Sequence, residues 1–214
     1  MADIHTIDQA LRILSYGYSH PNKQVSSFNE FDTFYQTDDA QKSLQGNVSI
    51  LHCTTSYPAP LESINLRAMR TIQEKFNLPI GYSDHSEGGL VSIAAVAAGA
   101  TIIEKHFTLD RSAEGPDHKA SMEPKEFKEM VSQIRQIEIA LGQETKKPTE
   151  NEINIQKVAC KKIVAAKPIK AGTIITEDLI TTKRTNGASS FTANQYWDLL
   201  GVKTQEEVIN FYNG

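Results

Sequence analysis

An α/β fold is predicted for this 214-residue chain, on three observations. β-Branched runs alternate with segments of helical period between residues 47 and 142. Each run finishes in polar groups instead of a tight hairpin turn. After a charged tract, residues 143–157, the pattern changes to short β-rich runs. Alternation of strand and helix argues for parallel strands joined by crossover helices, whose loops can carry chemistry.

The elements follow in order. Residues 3–16 place Ile7, Ala10, Leu11 and Leu14 at i, i+3, i+4 and i+7, which predicts an amphipathic helix. Residues 17–46 are polar, and read as an inserted surface excursion. "NVSILHC" (47–53) reads as a strand and "TTSYPAP" as its loop. Leu61, Ile64, Met69, Ile72 and Phe76 predict a helix over 61–77. "LPIGYSDH" (78–85) is a second strand, and "GGLVSIAAVAAG" (88–99) a small-residue helix suited to close packing on a sheet. "ATIIEKHF" (100–107) is a third strand. Beyond the loop 108–123, Pro124 suits a first helical position, and Phe127, Met130, Val131, Ile134, Ile137 and Leu141 continue the period to Gly142. Residues 143–157 read as a linker, and 158–214 as a small β-rich module.

Composition narrows the function. A charged fraction of 22% and a hydrophobic fraction of 39% are ordinary for a globular protein. The net charge of −4 lacks the basic footprint of nucleic-acid binding. The longest apolar stretch, 90–103, is interrupted and falls short of the roughly 20 residues a membrane span needs. Cys53 and Cys160 form no disulfide framework, so a cytoplasmic location is expected.

The three strand ends concentrate ionisable groups: His52 with Thr54 and Thr55, then Ser83, Asp84 and His85, then Glu104 and His106. Side chains alternate across a strand, so Ser83 and His85 share one face, as do Ile102, Glu104 and His106. If neighbours in sequence pair, His85 and His106 approach at the C-terminal rim of the sheet, where α/β folds place their sites. Two imidazoles and nearby oxygens suit a divalent metal with open positions. A strand-end histidine is more often a hydrogen-bonded structural residue, and spacing alone does not decide for the metal. His52 and His118 are weaker candidates, and His5 and His20 read as solvated.

The succession "LHCTTSYPAP", "NLRAM", "GYSDHS", "IEKHFTLD" and "GPDHKAS" resembles the sialic acid synthase family over residues 47–142. "KKIVAAKPIKAGTIITEDLITTKR" resembles that family's C-terminal antifreeze-like (SAF) domain. The resemblance implies a transferase that condenses phosphoenolpyruvate with an N-acetylated amino sugar. It implies His85 and His106 as ligands of Mn²⁺ or Mg²⁺, and Glu104 as the active-site glutamate. Asp117 and Tyr57 are implied sugar contacts, Ser83 a phosphate ligand, and Thr55 a further substrate-binding group in the Tyr57 loop. Arg184 is the implied lid residue, reaching the partner's site in a homodimer with exchanged antifreeze-like domains. N-Acetylneuraminate synthesis is the leading expectation, with N,N'-diacetyllegionaminate synthesis or a non-catalytic sugar-binding or subunit-interaction module as alternatives.

A complete (β/α)₈ TIM barrel takes roughly 250 residues. The first unit, 1–142, is therefore expected to be a partial barrel with its last three strands, "MADIHTIDQAL" resembling the segment after the fifth. A truncated or split form, inactive alone, is the expectation that follows. The antifreeze-like part departs from the family at "RTNGASS" and after Gly201.

Overall fold

The computed structural model describes residues 1–185 and 191–208. It divides into two compact units, Met1–Gly142 and Gln143–Gly214.

The first unit is built on three parallel strands in sequential order, β1 (Ile50–Cys53), β2 (Ile80–Asp84) and β3 (Ile102–Lys105). Strand β2 lies between the others and is buried along its whole length. Helices α4 (Leu61–Ile64) and α5 (Ala68–Phe76) connect β1 to β2, and α6 (Leu90–Ala97) connects β2 to β3. The single helix expected over 61–77 is broken at Asn65, whose φ of 51° is left-handed. Asparagine tolerates that conformation better than most residues.

The core lies between sheet and helices. Ile80 and Tyr82 from β2 meet Met69, Ile72 and Phe76 from α5 and Val91 and Ala95 from α6. The small side chains of α6 permit its close approach, and Ala95 is wholly buried. Helix α7 (Pro124–Leu141) starts with a reciprocal capping box between Glu123 and Glu126, has proline in its first turn and ends at Gly142 with φ 59°. It packs on α6 through Met130 and Ile134.

Residues 17–46 are not a surface excursion. They form α2 (Phe28–Tyr35) and α3 (Asp38–Asn47), which pack with α1 (Ile4–Ser19). Leu11 of α1 and Leu44 of α3 are buried in the main core. Arg12 ties α1 to α2 by pairing with Asp8 at 2.6 Å and Asp32 at 2.9 Å. His20, expected to be solvated, is half-buried and stacks on Tyr16 with ring centroids 4.5 Å apart.

The second unit begins differently from the expected linker. Helix α8 (Glu150–Ala159) occupies most of 143–157 and carries its own Thr149–Glu152 capping box. Its apolar residues Ile153, Ile155 and Val158 are exposed, which is why no amphipathic period marked it. Strands β4 (Lys161–Ala165) and β5 (Ile180–Arg184) pair antiparallel over Ile163, Ala165, Ile169 and Ile180, with the short α9 (Tyr196–Leu199) packed against them. Most of "RTNGASS", and the residues from 209 onward, lie outside the described residues.

Candidate active site

Strand register builds the site in rows. Leu51, Gly81 and Ile102 are register neighbours, followed by Cys53, Ser83 and Glu104. One step further along, where the strands give way to loops, stand His85 and His106. All point away from the helix layer, because side chains alternate and the intervening Ile80, Tyr82 and Asp84 face the helices.

In the second row the Ser83 hydroxyl donates to Glu104 Oε1 at 2.6 Å. Above it, the His85 and His106 rings lie 5.3 Å apart at 66°. Tyr57 covers both, 4.2 Å from the His85 ring and 5.7 Å from that of His106. The loop carrying Tyr57 is anchored by Ala59 N–H, which donates to the His85 carbonyl at 2.9 Å.

His85 has a defined tautomer. Its Nδ1 lies 2.9 Å from the Thr54 carbonyl, which can only accept, so Nδ1 carries the proton. In the neutral ring this leaves the lone pair on Nε2, the arrangement found in metal-bound histidines. Cys53 Sγ lies 3.6 Å from the same Nδ1.

His106 is held through its backbone, its carbonyl accepting from Met122 N–H at 2.9 Å. Its Nδ1 is 4.0 Å from Asp117 Oδ2, which hangs from the loop after β3. Thr55 is exposed in the loop after β1. Arg184 is exposed at the end of β5 in the second unit, opposite Lys161. The first unit thus gathers Tyr57, Ser83, His85, Glu104, His106 and Asp117 at one rim, with Thr55 in the adjoining loop.

His52 and His118 have other work. His52 Nε2 bonds the Ile64 carbonyl at 2.7 Å, fastening β1 to α4, and His118 Nδ1 meets Thr108 Oγ1 at 2.8 Å. Among the described residues, no group of three or more His, Cys, Asp or Glu side chains is assembled to hold a metal. None of the described helices is long and apolar enough to cross a membrane.

Sequence alone assigns no role to Asp84 and suggests for Lys105, on the face opposite Glu104 and His106, a salt bridge toward the helix layer. Asp84 and Lys105 form an ion pair at 3.1 Å directly behind the histidines, with side chains 0% and 1% exposed. The signal available in sequence was their alternation with His85 and His106, which sends both charges into the helix layer.

The NeuB family profile matches residues 1–146, the whole first unit and the start of the second. The chain belongs to the NeuB family. Within that family it is 47% identical over 162 residues to the N,N'-diacetyllegionaminic acid synthase of Campylobacter jejuni, covering 75% of this chain and 48% of that protein. It is 42% identical over 159 residues to the human N-acetylneuraminate-9-phosphate synthase, covering 74% of this chain and 44% of that protein. The crystal structure of a sialic acid synthetase from Leptospira borgpetersenii aligns with a TM-score of 0.50 at 37% identity, covering 63% of this chain and 47% of that one. This NeuB chain therefore spans about half the length of the curated relatives it matches.

Proposed function

We propose that the first unit supplies one wall of a nonulosonate synthase site, at which phosphoenolpyruvate condenses with an N-acetylated amino sugar. The observation that carries this reading is the cluster of the Tyr57, His85 and His106 rings beside the Ser83–Glu104 hydrogen bond. N-Acetylmannosamine, giving N-acetylneuraminate, is one substrate this site would take. The second reading is the diacetylated sugar of the legionaminate branch, favoured by 47% identity to a legionaminic acid synthase against 42% to the human enzyme.

In the reaction, C3 of phosphoenolpyruvate attacks the aldehyde carbon of the open-chain sugar. Water adds at C2, and phosphate leaves with cleavage of its C–O bond. Glu104 orients that water and takes its proton. Ser83 binds the phosphate; its hydroxyl proton is engaged by Glu104 in the resting arrangement, so it must turn toward the anion as substrate enters. Tyr57 packs against the sugar, and Asp117 accepts from its hydroxyl or amide groups. A divalent ion such as Mn²⁺ or Mg²⁺, when bound, supplies Lewis acidity toward the aldehyde oxygen, with Nε2 of His85 and a ring nitrogen of His106 holding it. Two imidazole nitrogens would suit such an ion as part of its ligand set.

The remaining walls would be contributed by further barrel strands. Strands β1 and β3 each have only one strand neighbour among the described residues, and Ile102 on the inner face is 39% exposed. We extend the reading to a homodimer in which the second unit, as an antifreeze-like domain, offers Arg184 to the partner's sugar. A cytoplasmic location follows from the use of phosphoenolpyruvate.

The test is Mn²⁺ titration of the 214-residue chain by electron paramagnetic resonance, with phosphate release assayed from phosphoenolpyruvate and each sugar. Saturable Mn²⁺ binding that disappears in His106→Ala is expected, with turnover appearing once the other strands are supplied. Binding indifferent to His106→Ala would refute the metal assignment and favour a non-catalytic module. Robust turnover by the chain alone would refute the division of the site.

A further inference from the structure

We infer that Asp84 and Lys105 are positioning residues that hold His85 and His106 at their working separation; this rests on reading those imidazoles as the site's metal-facing pair. Lys105 Nζ lies 3.1 Å from Asp84 Oδ2 and also donates to the Ser86 carbonyl. Asp84 Oδ1 accepts from Ser86 N–H at 2.8 Å and from Ser86 Oγ at 2.7 Å. Asp84 Oδ2 accepts from Ser92 Oγ at 2.5 Å. Asp84, Ser86 and Ser92 are buried, as is the Lys105 side chain.

These bonds form a closed circuit behind the His85 imidazole, on the opposite face of the sheet. His85 is bracketed by Asp84 and Ser86, and both neighbours are fixed by the same carboxylate. The carbonyl of Ser86 is then fastened to Lys105, the residue immediately before His106. The circuit therefore joins the end of β2, the end of β3 and the first turn of α6, directly behind the two rings.

Packing alone is a poor reason for such a network. Elsewhere on this face β2 and β3 present Ile80, Tyr82 and Ile103, all in the apolar core. Buried ion pairs are often matched or bettered in stability by apolar residues of similar volume, whereas they specify geometry when every polar atom is satisfied. Here the Asp84 carboxylate is met by the Lys105 ammonium, both Ser86 donors and the Ser92 hydroxyl.

The experiment uses the full chain with Asp84→Asn/Lys105→Met, which leaves no unpaired buried charge, and with the milder Ser86→Ala. Three readouts are taken: the urea midpoint, NMR ring-to-ring cross-peaks among Tyr57, His85 and His106, and Mn²⁺ affinity. The expected result for the double variant is a near-native urea midpoint, no cross-peak between the His85 and His106 rings, and Mn²⁺ affinity reduced about 10- to 100-fold. Ser86→Ala should fold normally and weaken both the cross-peaks and the affinity by a smaller factor. A folded double variant with native cross-peaks and native affinity overturns the inference. If the double variant does not fold, Ser86→Ala decides, and native values there overturn it. Failure of the unsubstituted chain to bind Mn²⁺ sinks the metal reading alone, and the ring-to-ring cross-peaks still test the positioning role.

Discussion

Ser83 Oγ and Glu104 Oε1 are joined at 2.6 Å across the β2–β3 ladder, and the two residues are register partners. The bond is short because a hydroxyl donates to a carboxylate. Glu104 is exposed, so water can replace this donor, and Ser83→Ala should cost no more than about 0.5–1.5 kcal/mol, read from urea unfolding. In the reconstituted synthase the same change should raise the KM for phosphoenolpyruvate more than it lowers kcat.

Gly81 carries a second prediction. A Cβ at this position would stand 2.7 Å from the Ile102 carbonyl oxygen, 2.9 Å from Ile102 Cβ and 3.1 Å from Leu51 Cγ. Gly81→Ala should destabilise the first unit by about 1–3 kcal/mol, the usual cost of overpacking. Trimming Ile102 to valine should not rescue it, because the nearest obstacle is backbone.

Leu44 tests whether the helices of residues 28–47 belong to the core. Its side chain is buried among residues that include Leu11. Leu44→Ala should cost about 2–5 kcal/mol in denaturant unfolding. Lys42→Ala, on the same helix but 74% exposed, should change stability by less than about 0.5 kcal/mol.

Tyr82 sets an alkaline limit. Burial, with a smaller contribution from the Asp84 charge, pushes its phenol from 10.0 up to about 12. A group whose folded pKa is raised contributes stability that is complete below its unfolded pKa and is lost as pH rises through the folded one. Stability should therefore decline between pH 10 and about 12, and Tyr82→Phe should flatten that decline in pH-dependent urea midpoints. The hydroxyl has no hydrogen-bond partner among the described residues, so its removal should cost little at neutral pH.

The alternation of strands and helices was legible because β-branched runs and helical periods are local signals. Strand alternation likewise assigned Ser83 with His85, and Glu104 with His106, to common faces. What stayed hidden depended on partners distant in sequence. Helices α2 and α3 bury few residues, so their polar composition resembled a loop until Leu44 met Leu11. Helix α8 shows no buried face at all, and its one local signature is the Thr149–Glu152 capping box. The contact of Tyr57 with the His85 ring required the loop after β1 to fold back over the rim. Alternation places Lys105 on the helix side of β3, but its partner, Asp84 of the neighbouring strand, is set by the β2–β3 register.

The adjacency of Asp84 to His85, and of Lys105 to His106, makes this region intolerant of insertions and deletions in a specific way. Strand side chains have a period of two, so a one-residue slip exchanges the faces. A single residue gained or lost within β2 or β3 would turn a histidine into the apolar helix layer and an uncompensated charge onto the rim. Genetic variation at these strand ends should therefore be confined to substitutions, while length changes accumulate in the loops beyond them.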